Sequence, residues 1–356
     1  MTAMVSRQIY GVLPDQSKAE LVVLRNTQGN EISICNFGLN VTDLMIADKH
    51  GKPVNVVLGC GDLKGFYQQE ISLNSIVGRF ANRIAHGHMP VEDKVYQLDC
   101  NLGPHHLHGN HGFSKNLWTI KKAELVEGIP TLVVERASPD GEHKYPGNVL
   151  CTITVTFDDD NRVRFDIHAT TDQATHLNIT HHAYFNLSGH TNQEITDHLF
   201  KIHGTQITES DELLIPSGEL VSVKDSVLDF SDYRSIQDAL NSGEDFVKHY
   251  GGIDHNFVIK TQNDEQLLLQ AEALYPQTGI HLQVSSTQPG VQFFTGQVLE
   301  GTVNRDGGIY HNFAGFCLEP QHFPDAPNHK HFPSTLVTPE NPYQQTIQWQ
   351  FDIVED

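Results

Sequence analysis

The sequence predicts an all-β fold, built as an antiparallel sandwich or barrel with a few short helices. Three observations lead to this prediction: runs of alternating apolar and polar residues recur, helical periodicity is scarce, and turn residues follow at short intervals. Alternation with a period of two is typical of a strand with one buried face. No linker-like tract interrupts the 356 residues. We therefore expect one large domain over residues 1–356, with two packed β units as the alternative.

The clearest element is an antiparallel hairpin over residues 151–169. Odd positions are apolar in Cys151–Phe157 and again in Arg162–Ala169. The segment Asp158–Asn161 between them is interpreted as a solvated turn rather than a metal loop, because Asp and Asn favour turn backbones. The same pattern predicts strands over residues 21–24, 31–35, 131–135, 267–273 and 280–286.

Helical patterns are confined to two short segments. We predict a helix over Tyr233–Leu240, in which Ser231 or Asp232 would cap the first turn, and another over Ser75–Ala85. Two such segments leave the prediction of a strand-based fold unchanged.

The charge and the cysteines bound the class of protein. The chain has 44 acidic and 23 basic residues, a net charge of −21, so we expect it to repel nucleic-acid phosphates and anionic membranes. No apolar run approaches the ~18 residues that span a bilayer, and we read no signal peptide at the N-terminus. The cysteines are scattered and form no CxxC pair, which favours reduced thiols in a cytoplasmic protein.

The usual phosphate, dinucleotide, zinc-protease and hydrolase motifs are absent. Six segments instead combine aromatic residues with amides, Arg, His or carboxylates, as a sugar pocket requires. These segments are 78–84, 105–111, 178–189, 251–257, 287–296 and 315–326. In the first of them, Arg79 and Arg83 are each compatible with ligand binding or with a structural role.

Histidines and one carboxylate are the candidates for proton transfer. Four histidines within residues 105–111 allow a metal site, binding of an organic ligand by one histidine, or a solvated loop. His181 and His182 form a pair that could supply a general acid or base, or a core histidine bonded to a carbonyl group. Glu319 follows an apolar run, so partial burial would raise its pKa towards the range of a base at neutral pH.

Taken in order, these segments resemble the motif series of the aldose 1-epimerase, or galactose mutarotase, family. The resemblance runs from about residue 70 to the C-terminus. It implies a large antiparallel β-sandwich, the galactose mutarotase-like supersandwich, with the sugar on its concave face. It also implies interconversion of the α and β anomers of free aldoses such as galactose and glucose. The matching residues are Gly78–Ile84, Leu107–Gly109, Asn178–Gly189, Asp254–Phe257, Gln288–Gly296 and Leu318–Ala326.

The same resemblance assigns roles to single residues. Glu319 would be the general base and His182 the general acid. The residues that would hold the sugar hydroxyls are Asn82, Arg83, His108, Asp254 and Gln292. The family implies no cofactor and no metal. The expected partner is a monosaccharide alone, with neither nucleic acid nor membrane, and the expected assembly is a monomer or homodimer.

Three positions depart from the family pattern, and three other functions stay open. His181 stands where Asn is usual, Ile253 where an aromatic residue is common, and Gln297 where Asn is common; all three could alter substrate preference. A hexose-phosphate 1-epimerase would need a cluster of basic residues, of which only Arg79 and Arg83 are evident. A non-catalytic sugar-binding module and a histidine-cluster metalloprotein are the remaining alternatives.

Overall fold

A computed structural model describes residues 1–189, 193–260, 262 and 265–355. Strand residues make up 46% of it and helical residues 9%, which confirms the all-β prediction. In chain order the strands are β1 Met4–Val12, β2 Lys18–Arg25, β3 Glu31–Cys35, β4 Asn40–Ala47, β5 Pro53–Asn55, β6 Ile76–Val77, β7 Arg83–Ile84, β8 His88–Val91, β9 Lys94–Gln97, β10 His106–Leu107, β11 Thr119–Val126, β12 Ile129–Ser138, β13 Val149–Phe157, β14 Arg162–Thr171, β15 Thr175–His176, β16 Thr180–His181, β17 Leu199–Ile202, β18 Gln206–Ser210, β19 Pro216–Ser222, β20 Asp254–Val258, β21 Leu268–Tyr275, β22 Ile280–Ser286, β23 Gly290–Phe294, β24 Cys317–Gln321, β25 Leu336–Val337 and β26 Tyr343–Ile353.

The helices are short. The α-helices are α1 Leu63–Gln68, α2 Gln237–Leu240 and α3 Asp245–Tyr250. Single 3₁₀ turns lie at Ala85–Gly87, His108–His111, Glu142–Lys144, Ile195–Asp197 and Ala326–Asn328.

Three antiparallel sheets contain most of the strands. The first has the order β1-β2-β3-β4-β5, the second β11-β12-β13-β14-β26-β22-β21-β17, and the third β19-β18-β20-β23-β24. The predicted hairpin is confirmed as β13 and β14, in which Cys151 lies opposite Ala169. Its turn is stabilised by the Asp158 carboxylate, which accepts hydrogen bonds from the backbone N–H groups of Asp160 and Arg162, both at 3.0 Å.

The apolar faces of the three sheets share one core. Val22, Ile153, Phe293 and Trp349 all belong to a single cluster of buried side chains. That cluster extends to Phe351; that residues 1–356 form one domain stays a prediction. Burying a large apolar side chain contributes about 1.5–3 kcal/mol, so this cluster supplies the main driving force that holds the sheets together.

The third sheet has one apolar and one polar face, and the polar face positions the site. Phe293 on β23 and Leu318 on β24 point into the core. Their neighbours Gln292 and Glu319 lie directly opposite each other in the register, and successive residues of a strand point to opposite faces. Gln292 and Glu319 therefore stand side by side on the face that looks away from the core.

The two helix predictions fare differently. The helix predicted over Ser75–Ala85 is wrong, because this segment splits into β6, paired with β16, and β7, paired with β10. The helix predicted over Tyr233–Leu240 is present only from Gln237 onward. Arg234 instead exchanges two backbone hydrogen bonds with Phe200, at 2.8 and 3.1 Å, which keeps the chain extended at that point.

The state of the cysteines and the length of the helices bear on the predictions of reduced thiols and of no membrane span. All five cysteines lie in the described part of the chain and carry free thiols, with only Cys100 exposed. Across the described residues, no helix is both long enough and apolar enough to cross a bilayer.

Candidate active site

The polar face of the third sheet borders a cavity of about 300 Å³. Small-molecule pockets span about 300–1,000 Å³. This cavity is at the lower end of that range and therefore suits a small ligand. Its lining contains all seven residues that the sequence proposes for catalysis and sugar binding. The lining residues are Glu70, Ile71, Asn82, Arg83, Leu102, Leu107, His108, His182, Tyr184, Asp254, Gln292, Phe294, Val298 and Glu319.

Three neighbouring strands supply the carboxylates and an amide. Asp254 on β20 lies opposite Phe294, and Gln292 on β23 lies opposite Glu319 on β24. Because residues two apart on a strand share a face, all four side chains project from the sheet on the same side. The sheet thus fixes the spacing of these groups through its backbone ladder.

Short loops supply the remaining polar groups. His182 follows β16, and its backbone is fixed by a hydrogen bond from its N–H to the Ser75 carbonyl (2.8 Å) and by one from the Asn74 N–H to its carbonyl (3.0 Å). The pairing of β7 with β10 brings Arg83 close to His108. His108 has a φ of 50°, a left-handed backbone that costs about 1–2 kcal/mol in a non-glycine residue.

A histidine and a carboxylate form the centre of the site. His182 Nε2 lies 3.6 Å from Glu319 Oε1, and its Nδ1 lies 3.5 Å from the sulfur of Cys317. The imidazole stacks on the Tyr184 ring with a centroid separation of 4.9 Å and an interplanar angle of 17°. Phe294 contacts the same imidazole edge-on, at 6.4 Å. The ring is thus held between aromatic surfaces with one nitrogen facing Glu319.

Burial favours the uncharged form of both central groups. It lowers the pKa of His182 to about 4. Burial also raises the pKa of Glu319 well above its usual range, the charge of Asp254 adds to this rise, and Arg83 opposes it. Glu319 Oε2 is buried and has no hydrogen-bond partner among the described residues. Such an unpaired oxygen carries a desolvation penalty unless a ligand donates to it.

A polar network surrounds the central pair. Gln292 donates from Nε2 to Asp254 Oδ1 at 2.6 Å, and Gln321 donates to Gln292 Oε1 at 3.1 Å. Arg83 Nη2 lies 3.7 Å from Asp254 Oδ2, and Asn82 Oδ1 accepts from Arg83 Nη1 at 3.3 Å. Arg83 Nε is buried and has no partner among the described residues, whereas the guanidinium as a whole lines the cavity.

His108 presents a donor to the cavity. Its Nδ1 accepts a hydrogen bond from the backbone N–H of Asn82 at 3.1 Å. Burial holds the pKa of His108 well below its usual value, with neighbouring His182 and Arg83 contributing. A neutral imidazole that accepts at one nitrogen carries its proton on the other. Nε2–H of His108 is therefore the donor at the pocket wall.

Comparison with known proteins decides the family. A family model described as aldose 1-epimerase matches residues 20–350. The chain belongs to the aldose 1-epimerase family. It is 37% identical to the galactose mutarotase of Rattus norvegicus over 352 residues (98% of this chain, 99% of the relative). It is 36% identical to that of Homo sapiens over 353 residues (99% of each), and 29% identical to the aldose 1-epimerase of Escherichia coli over 341 residues (95% and 96%).

Solved structures agree with this assignment. An aldose epimerase homologue from C. elegans superposes with a TM-score of 0.85 at 26% identity, covering 94% of this chain and 99% of the other. A galactose 1-epimerase from Lactobacillus acidophilus gives 0.86 at 22% identity, covering 99% and 100%, and shows the fold alone. The resemblance found in the sequence is thus confirmed, and the protein is an isomerase of the aldose 1-epimerase class.

Within this epimerase the two arginines of the first motif have separate tasks. Arg79 is buried and donates to the Ser138 hydroxyl (2.7 Å) and to the carbonyls of Ser138 (2.8 Å), Pro139 (2.9 Å) and Pro146 (3.0 Å). Burial lowers its pKa to about 10. Arg79 therefore clasps the 138–146 loop, whereas Arg83 lines the cavity.

The histidine-rich loop contributes one of its four histidines to the site of the epimerase. His106 is buried, with Nδ1 2.6 Å from the Asp99 carbonyl and Nε2 2.7 Å from the Tyr145 hydroxyl. Nδ1 of His105 accepts from the His86 N–H at 3.2 Å. Of the three interpretations left open for this loop, the geometry thus favours contact with an organic ligand through His108. Among the described residues, the group with metal-ligand spacing is His182, Cys317 and Glu319.

The three departures from the family pattern lie outside the lining of the cavity. His181 points into the core between Phe165 and Trp349, at ring separations of 5.1 and 5.0 Å, because it is the last residue of β16 and its side chain faces the other way from that of His182. Ile253 is fully buried, and Gln297 donates to its carbonyl at 3.3 Å. None of the three is among the residues that line the cavity.

Some pocket residues had no individual prediction. Tyr184 and Phe294 lie inside predicted motifs, where their aromatic character beside polar residues was the available signal. Glu70, Leu102 and Val298 come from segments without a recognisable pattern, since their place at the pocket depends on long-range chain packing. Cys317 likewise had no assigned part in the site.

Proposed function

We propose that His182 and Glu319 are the general acid and base with which this epimerase interconverts the α and β anomers of free aldoses, galactose and glucose among them. The observation that carries the proposal is the 3.6 Å separation between His182 Nε2 and Glu319 Oε1 inside a cavity of about 300 Å³. A group that can carry a positive charge and one that can carry a negative charge thus lie within 3.6 Å of each other.

The proton movements balance over one turnover. Glu319, as carboxylate, takes the proton of the anomeric hydroxyl, while protonated His182 gives its Nε2 proton to the ring oxygen. The bond between C1 and the ring oxygen breaks, and the free aldehyde forms. Rotation about C1–C2 presents the other carbonyl face. His182 then takes back the proton of the attacking hydroxyl, and Glu319 returns its proton to the carbonyl oxygen.

The buried environment of His182 and Glu319 favours the protonation states that the two groups have while the sugar ring is open. While the sugar is open, His182 is neutral and Glu319 is protonated, which is the state that burial favours through the lowered pKa of His182 and the raised pKa of Glu319. The opposite, charged state requires that hydrogen bonds from the cyclic sugar stabilise the carboxylate. Glu319 Oε2 has no hydrogen-bond partner among the described residues, so a hydroxyl of a bound sugar that donates to it would stabilise the carboxylate.

The lining residues offer complementary contacts to a neutral sugar. Arg83 and the Nε2–H of His108 are donors, and Asp254 accepts. Gln292 supplies an amide that can do both, while Phe294 offers an apolar surface to ring C–H groups. Asn82 supports Arg83 through its Oδ1, which accepts from the Arg83 backbone N–H at 2.9 Å.

The charges of the pocket disfavour the hexose-phosphate alternative. The lining contains three acidic residues, Glu70, Asp254 and Glu319, and one arginine, Arg83. Arg83 already faces Asp254 at 3.7 Å, and phosphate recognition normally uses several uncompensated cations. The presence of both proton-transfer groups likewise favours an enzyme over a sugar-binding module without activity.

Polarimetry of freshly dissolved α-galactose and α-glucose tests the proposal. The wild-type protein should accelerate the change in rotation, and Glu319→Gln should lower kcat by about 10²–10⁴-fold, the usual contribution of one positioned base. Glu319→Asp keeps a carboxylate and should retain more activity than the amide. Equal activity of wild type and Glu319→Gln, with unchanged circular dichroism, would show that another group is the base.

We also propose a cytoplasmic location and a monomeric or homodimeric state without nucleic-acid or membrane partners. The free thiols support the cytoplasmic location, since a reducing compartment keeps thiols unpaired. The net charge of −21 supports the lack of nucleic-acid and membrane partners, since an acidic surface repels phosphates. Cell fractionation and analytical ultracentrifugation are the corresponding measurements.

A further inference from the structure

Cys317 lies directly behind the proposed general acid. Its sulfur is 3.5 Å from His182 Nδ1, on the nitrogen opposite the one that faces Glu319. Cys317 and Glu319 are two residues apart on β24, so both project from the same face of the sheet. The imidazole is therefore held between two side chains of a single strand, with one at each nitrogen.

The thiol is a neutral and weak hydrogen-bonding group in this position. Cys317 is fully buried, and burial raises the pKa of its thiol well above the usual value, so the sulfur stays protonated at neutral pH. A thiol sulfur is a weak acceptor and S–H a weak donor. It can accept from Nδ1–H without adding the negative charge that a carboxylate would bring.

We propose that Cys317 is a positioning residue that accepts the Nδ1 proton of His182 and thereby leaves Nε2 free to exchange a proton with the sugar. This inference rests on the proposed role of His182 as general acid. After His182 has donated from Nε2, its remaining proton must sit on Nδ1, and a partner there stabilises that tautomer. The partner also fixes the plane of the ring relative to the substrate.

The weakness of the thiol acceptor has a chemical consequence. The ring oxygen of a sugar is a poor base, so its protonation requires a strongly acidic donor. A carboxylate at Nδ1 would favour the imidazolium and make it a weaker acid, whereas the neutral Cys317 sulfur orients the ring with little effect on its acidity. Tyr184, stacked on the ring at 4.9 Å, restricts the orientation of the imidazole without adding a charge.

Substitution of Cys317 tests the inference with matched controls. Cys317→Ala removes the acceptor, and Cys317→Ser restores one on a shorter side chain. Cys60→Ala is the control, because Cys60 is buried in the same apolar cluster as Cys317 and does not line the cavity. Circular dichroism and thermal unfolding establish that each variant is folded.

The kinetic expectation separates catalysis from packing. Cys317→Ala should lower kcat for galactose on the order of 10- to 100-fold, by analogy with the loss when hydrogen-bond partners of metal-bound histidines are removed, while KM stays close to that of wild type. Cys317→Ser should recover most of kcat, and Cys60→Ala should match wild type. Equal kcat for Cys317→Ala and Cys60→Ala would overturn the inference.

A spectroscopic measurement gives an independent readout. Long-range ¹H–¹⁵N correlation spectra of ¹⁵N-histidine-labelled protein, assigned by comparison with His182→Gln, report which ring nitrogen carries the proton. We expect Nδ1–H in wild type and a shift towards Nε2–H in Cys317→Ala; an unchanged tautomer would show that Cys317 does not set the protonated nitrogen and would overturn the inference. Absence of mutarotation in the wild type would instead refute the proposed function.

Discussion

Buried histidines make the stability of this protein depend on pH in a predictable direction. In seven of them burial lowers the pKa from 6.5 to between about 3 and about 4. They are His106, His176, His181, His182, His198, His255 and His322. A group whose folded pKa is lowered contributes stability that is present above its unfolded pKa and is lost as the pH falls towards its folded value. We therefore predict a steep loss of stability as the pH falls from about 6.5 to about 4.

The magnitude follows from the difference between the two pKa values. At pH 5.5 an exposed histidine of an unfolded chain is about 90% protonated, which stabilises the unfolded state by about 1.4 kcal/mol per histidine. Seven such groups together reach about 10 kcal/mol, which is within the 5–15 kcal/mol that separates most folded domains from unfolded chains. The raised pKa of Glu319 acts in the opposite direction and offsets a part of this loss.

His181→Asn isolates one of these contributions. Urea unfolding of variant and wild type at pH 7.5 and pH 5.5 gives two values for the effect of the substitution. We expect the effect at pH 5.5 to be more favourable to the variant by about 1.4 kcal/mol, because Asn does not take up a proton on unfolding. His168→Asn is the matched control on an exposed site of β14 and should show no difference between the two values. A difference near zero for His181→Asn would refute the reasoning.

Other predictions concern the two arginines and the pocket mouth. Arg79→Met should lower the free energy of unfolding by about 3–5 kcal/mol in urea titrations, since it leaves buried carbonyls without donors. Arg83→Met should instead lower kcat/KM for galactose by at least about tenfold and leave the stability nearly unchanged; the opposite pattern would reverse the two assignments. Glu70→Gln should raise kcat/KM for anionic sugars such as glucuronate by up to a few-fold at low salt and leave neutral sugars unaffected, whereas equal changes for both would exclude an electrostatic role.

The sequence was sufficient for those strands that alternate regularly. Cys151–Phe157 and Arg162–Ala169 were predicted as paired strands, and they are found within β13 and β14. The segment over Ser75–Ala85 was misjudged because Ile76, Phe80 and Ile84 repeat every four residues, which imitates one face of a helix. Their burial instead comes from pairing with distant strands and packing against other loops, which local periodicity does not encode.

The residues of the candidate site were predictable from the family resemblance, but only in part from residue types alone. Each of the seven residues derived from the family resemblance lines the cavity, because that resemblance already contains the three-dimensional arrangement. Reasoning from residue types alone left Arg79 and Arg83 undecided, since the same guanidinium can clasp a loop or bind a ligand. The adjacent histidines were separated by strand alternation, which sends His181 to the core and His182 to the pocket.

The position of β26 in the second sheet bears on how this enzyme is made. Tyr343–Ile353 lies between β14 and β22, so the strand that follows all the other strands of the largest sheet in chain order lies in the middle of that sheet. During synthesis, the edges of β14 and β22 that pair with β26 stay unpaired until residues 343–353 have left the ribosome. Unpaired edges are sites of aggregation in growing chains. Translation that stops before Tyr343 therefore yields a chain whose largest sheet lacks a central strand. We expect the cell's chaperones and proteases to recognise such a chain.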